Sequence, residues 1–155
     1  MHQLFQFSIE INAPVSQVYD YMLGLTHKET YTAWTTVFHP TCSYRGNWET
    51  GSKINFTSEA EPGNFGGTVT MIWENIPLKS VRMEHIGMLK NDIEVTTGPE
   101  VEAWSGCTES FFFESMENGA TSVRVELEMP ESMAPYFEKI YPQALQELKK
   151  GCELR

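Results

Sequence analysis

The sequence predicts an α+β fold in which an antiparallel sheet of about seven strands packs on a long C-terminal helix. Three observations predict it. Residues 5–11 alternate apolar and polar, then break at Asn12-Ala13-Pro14 straight into a helical rhythm. Between Cys42 and Met129, about six further segments alternate with the two-residue strand period and are separated by turn signals. Finally, Met133, Phe137, Ile140, Tyr141, Ala144, Leu145 and Leu148 form one continuous stripe at helical spacing. The resulting order is β-α-α-β6-α, and the apolar stripe of the last helix needs a sheet to lie on.

In the first strand Phe5, Phe7, Ile9 and Ile11 share one face, and Gln6, Ser8 and Glu10 the other. Pro14, with no N–H and a fixed φ, suits the first helical position; Val15, Val18, Tyr19 and Met22 then recur at helical spacing until Gly24 offers a stop. The T-x-x-E run Thr26–Glu29 has the form of a capping box and predicts a second short helix to about Trp34. From Cys42 the pattern becomes strand, with Tyr44 and Trp48 on the same parity. Glu49–Ser52 then turns the chain into 53–58, where Ile54 and Phe56 share a face, which makes a hairpin. Residues 59–67, EAEPGNFGG, read as a glycine-rich loop; strands follow over about 68–75 and 80–88, joined by a turn at Pro77.

Residues 91–100 read as an exposed, mobile loop before a strand over about 103–116. The turn at Glu117-Asn118-Gly119 admits two registers. A three-residue bulged loop sets Phe113 opposite Val123 and Phe111 opposite Val125, whereas a two-residue turn buries only Phe112. Each fully buried Phe contributes about 1.5–3 kcal/mol, so the bulged loop is expected. Along the last strand Val123, Val125, Leu127 and Met129 alternate with Arg124, Glu126 and Glu128. Ser132 is placed to cap the final helix, with Pro135 in its first turn and Gly151 just past its end. Pro142, inside that helix, predicts a bend or break near Tyr141 that would free the first half to move as a lid.

A length of 155 residues fits one domain spanning 1–155, large enough to hold a core without disulfides. Eleven basic against 21 acidic residues give a net charge of −10, which repels phosphate backbones and argues against nucleic acid as a partner. No apolar run approaches the roughly 20 residues of a membrane span, and no signal-peptide pattern opens the chain, so a cytoplasmic protein is expected. Cys42, Cys107 and Cys152 are odd in number and lack C-x-x-C spacing, and no histidine pair has metal-ligand spacing. Neither a metal nor another cofactor is expected.

The stretches INAPVSQVYDYML, RGNWETGSKINF, NGATSVRVEL and YFEKIYPQALQELKKGCE resemble the START-like, Bet v 1-like (SRPBCC) superfamily. Within it the sequence is most similar to the branch of the activator of the heat-shock protein 90 ATPase. The resemblance covers nearly the whole chain and implies a helix-grip fold, a curved antiparallel sheet closed by the long helix over a pocket. It further implies that an apolar or amphipathic small molecule binds there, to a monomer or homodimer. A cyclase- or dehydratase-like enzyme using the same cavity and a chaperone ATPase regulator are the alternatives. The motifs carrying the resemblance are Ala13-Pro14, Trp48 with Gly51, Gly119 with Thr121, and the apolar last helix.

Under that fold the candidate cavity lining comprises Trp34, Tyr44, Trp48, Phe56, Trp73, Met83, His85, Trp104, Phe111, Phe113, Phe137, Ile140 and Tyr141. Aromatic walls with a few polar groups are what small-molecule sites show, although ordinary core packing also explains such residues. His85 shares a strand face with Val81 and Met83, which gives it either a structural role or that of a polar anchor; with Tyr44 it is the first candidate for acid–base chemistry. No catalytic motif stands in the sequence, and a binding protein is the leading reading. The expected pocket is enclosed, lies between sheet and final helix, and falls within the usual range of about 300–1,000 Å³.

Overall fold

The computed structural model describes residues 2–154. β1 (His2–Ile11) leads into α1 (Val15–Leu23) and α2 (Glu29–Thr35). The strands β2 (Ser43–Gly46), β3 (Lys53–Glu61), β4 (Asn64–Ile76), β5 (Ser80–Lys90) and β6 (Ile93–Val95) follow. Then come α3 (Pro99–Glu102), β7 (Thr108–Ser115), β8 (Thr121–Pro130), a 3-10 turn (Glu131–Met133) and α4 (Ala134–Glu153). All eight strands belong to one antiparallel sheet in the order β1-β8-β7-β5-β4-β3-β2, with β6 paired to β5. The sheet curves, and the long helix lies across it. No helix among the described residues is long and apolar enough to cross a membrane.

The alternation in β1 survives as burial of Phe5 and Ile11, with Phe7 and Ile9 half-buried between them. Pro14 stands one place earlier than expected, at the N-cap of α1: its ψ of 149° is extended, and its carbonyl accepts the first helical bond from Val18. Gly24 ends α1 at φ 65°. The capping box does not form. Thr26 gives both its N–H and its hydroxyl to the Asp20 carboxylate, so α2 starts without a side-chain cap.

Residues 59–67 are two paired strand ends joined by a two-residue turn at Pro62-Gly63, not a loop. The β3–β4 ladder runs to Glu61 opposite Asn64, because a ladder is built from backbone groups and Gly66 and Gly67 supply them as well as any residue. Gly67 is required where it stands. A Cβ there would lie 1.8 Å from the Phe56 carbonyl oxygen, at a φ of 138°. Gly63, at φ 81°, has open space around it. Gly67→Ala is therefore expected to cost about 3 kcal/mol or more, and Gly63→Ala only about 1 kcal/mol for its left-handed backbone. Urea midpoints of the two variants check this, and equal losses would contradict it.

The expected loop 91–100 instead holds β6 and the start of α3, and β7 begins at Thr108, so Trp104 sits in a turn. The bulged hairpin turn is present: Phe113 pairs with Val123 and Phe111 with Val125, Gly119 has φ 84°, and Phe111 and Phe113 are buried. α4 runs as one element through Pro142. Pro142 and Glu138, whose carbonyl loses its partner, are both exposed where water can take the missing bond, so the helix does not divide into two segments and a lid. Ser132 lies in the 3-10 turn and caps nothing, and Met133 is exposed. Gly151 is helical, in contact with the Tyr21 ring, where a Cβ would fall 1.9 Å from the hydroxyl.

Candidate functional site

The core joins α1, the inner faces of β8 and β7, and the stripe Tyr141, Ala144, Leu145 and Leu148 of α4. Beside it, where α2 and the first turns of α4 stand over the sheet, a cavity of about 210 Å³ remains. This is smaller than the expected pocket and partly open rather than enclosed, because large rings fill much of the space between helix and sheet. α2 contributes Tyr31, Trp34 and Thr35, and Phe38 follows at the same helical spacing. Cys42 and Phe56 close one side, with Thr68 on β4. Phe111 and Met129 come from β7 and β8, and Phe137 and Tyr141 from α4.

Trp34 is fixed by its indole N–H, which donates to the Met22 carbonyl at 2.9 Å, and by edge contacts with Tyr31 and Phe111. Tyr141 stacks on Phe7 at 5.2 Å and meets Phe38 edge-on. Such offset and edge arrangements suit the ring quadrupoles.

Polar groups converge on the cavity from β5 and β7. In β5 a bulge leaves Ile86 unpaired, as Thr70 faces His85 and Val69 faces Gly87. His85 is buried beneath the Trp104 ring, stacked at 5.5 Å. Its Nδ1 is 2.8 Å from Thr70 Oγ1, and its Nε2 is 3.8 Å from Glu109 Oε1, beyond hydrogen-bond reach. Tyr141 donates its hydroxyl to Glu109 Oε2. Burial pushes the His85 pKa down to about 4, so the ring is neutral at physiological pH. Burial also raises the Glu109 carboxyl, against the opposing pull of the Tyr141 hydrogen bond. Tyr141 and Tyr31 are held well above the usual phenol value, first by burial and then by the charge of Glu109.

Seven of the residues expected around the cavity do line it: Trp34, Phe56, His85, Trp104, Phe111, Phe137 and Tyr141. Six do not. Trp73 is the extra residue of a second bulge, between the pairs Ile72–Met83 and Glu74–Arg82, and is turned outward to 50% exposure. Tyr44 and Trp48 pack behind Phe56 and Tyr31. The Tyr44 hydroxyl is committed to the Leu23 and Gly24 carbonyls, so His85 and Tyr44 form no acid–base pair. Met83 is wholly buried in the core, Phe113 packs on Tyr19, and Ile140 stands half-buried outside the lining.

Tyr31, Thr35, Phe38, Cys42, Thr68, Glu109 and Met129 were not anticipated. Signals for several of them exist. Tyr31, Trp34, Thr35 and Phe38 are spaced to share one helix face, and Glu109 has the inward parity of Phe111 and Phe113. A larger depression, about 550 Å³, lies on the other side of the β7–β8 hairpin, where Lys79, Glu114 and Arg124 border Phe112; it shares no residue with the inner cavity.

No family model matches the sequence, nor does any curated protein. Solved structures do match. The solution structure of the Aha1 dimer from Colwellia psychrerythraea is 24% identical over 97% of this chain and 96% of its own, with a TM-score of 0.67. A protein from Arthrobacter aurescens is 13% identical, covering 98% and 87%, with a TM-score of 0.69. Ara h 8.0201, a Bet v 1 homologue, is 10% identical over the full length of both chains, with a TM-score of 0.65.

Proposed function

We propose that this chain, which has the START-like, Bet v 1-like fold of those neighbours, binds a small apolar or amphipathic molecule in the cavity between α2, α4 and the inner sheet. The observation carrying this reading is the convergence of aromatic walls on a few polar groups, His85 and Glu109 among them, in one unfilled space. A cavity of about 150 Å³ lined by apolar side chains admits benzene. One of about 210 Å³ therefore suits a single ring with a short substituent.

Calorimetric titration with 2-phenylethanol tests it. Trp104 lines the cavity and Trp73 does not. Trp104→Ala is expected to weaken binding about tenfold, the loss typical of an aromatic anchor, while Trp73→Ala leaves it unchanged. Equal affinities in all three proteins would contradict the proposal.

A further inference from the structure

We infer that the cavity takes its ligand as a small organic cation, an ammonium carried on about one ring's worth of carbon, with the charge against Glu109 and the carbon among Trp34, Phe38, Trp104 and Phe137. The inference rests on the reading that the cavity binds a small molecule at all. Its basis is an imbalance of charge. Among the described residues Glu109 is the one carboxylate of the lining, and its side chain is only 19% exposed. The groups that face it are His85 from β5, Tyr141 from α4 and Tyr31 from α2. None of them supplies a positive charge: the phenols cannot, and His85 stays neutral in its buried position. Among the described residues neither lysine nor arginine lines the cavity.

A carboxylate held in such a place, with no cation among the described residues to meet it, is costly to ionise. A ligand ammonium supplies the missing partner. The ring faces around it add attraction of their own, since an aromatic quadrupole presents its negative face to a cation. An uncharged ligand gains from the rings as apolar surface but gives Glu109 no counter-charge, and an anion meets a carboxyl of its own sign. The net charge of −10 also concentrates cations near the molecule. Tyr141, donating to Glu109, orients the carboxylate and ties this site to α4.

Titration of the full chain with 2-phenylethylammonium and with 2-phenylethanol, near-isosteric and differing in charge, tests the inference by calorimetry or NMR. At pH 7.5 the wild type is expected to bind the cation about tenfold or more tightly than the alcohol, and Glu109→Gln to erase that preference while leaving the alcohol within about threefold. Affinity of the wild type for the cation should also rise with pH across the titration of Glu109, and that for the alcohol stay flat. This second measurement needs no variant and survives a failure of Glu109→Gln to fold. An alcohol that binds as well as or better than the cation overturns the inference and leaves the proposed function standing. Equal weakening of both ligands by Glu109→Gln also overturns it, since Glu109 would then only anchor α4. If neither molecule binds, both readings fall.

Discussion

Lowering the pH from 6.5 to 4 is expected to remove about 3 kcal/mol of stability through His85 alone. The folded ring takes up its proton at about 4, against 6.5 for the unfolded chain, so as pH falls the unfolded state is protonated first. The contribution is complete above 6.5 and declines until the pH reaches the folded value. Glu109 works in the opposite sense. Its raised pKa means the folded state holds a proton that the unfolded chain has released, which lowers stability as pH rises toward the folded value. Urea midpoints across this range for wild type and His85→Asn separate the two, because Glu109 is common to both proteins and Asn retains a polar group for Thr70. A difference between them that shrinks by about 3 kcal/mol on acidification supports the placement of His85; a constant difference contradicts it.

Trp34→Ala is expected to cost about 3–5 kcal/mol, the range for removing a large core ring, and to lower the melting temperature by roughly 10 °C. Trp34 is 1% exposed, supports Tyr31 and Phe111 by edge contacts, and satisfies the Met22 carbonyl. Trp34→Phe, which keeps a ring but orphans that carbonyl, should lose about 1–3 kcal/mol. Trp73→Ala, at the exposed bulge, should stay within about 0.5 kcal/mol of wild type. Calorimetric unfolding of the three variants gives the ranking, and a large loss at Trp73 with a small one at Trp34 would reverse the assignment of wall and surface.

The element order was legible in the sequence because burial obeys periodicity: the parity of β1 and β8, the stripe of α4 and the register of the β7–β8 hairpin all follow from which face turns inward. What parity cannot reveal is a bulge. The one at Trp73 turns that ring outward, and nothing in the apolar alternation of the chain marks it. Competition among polar groups was equally hidden. Thr26 had an apt partner in Glu29 but binds Asp20, six residues away, and Tyr44 spends its hydroxyl on backbone carbonyls rather than on the cavity. Glu109 shows the reverse case. Its parity with Phe111 and Phe113 marked it as facing inward, and an acidic residue on an apolar face is the kind of local inconsistency that functional sites leave.

The central claim, that the space beneath α2 and α4 is a ligand site, is tested most directly by the indole N–H signals of the four tryptophans in one NMR titration with 2-phenylethanol. Trp34 and Trp104 line the cavity, whereas Trp48 packs behind Phe56 and Trp73 is exposed on a bulge. The Trp34 and Trp104 signals are expected to shift together and saturate, with those of Trp48 and Trp73 stationary. Stationary Trp34 and Trp104 signals, or the same shift at all four, would contradict it.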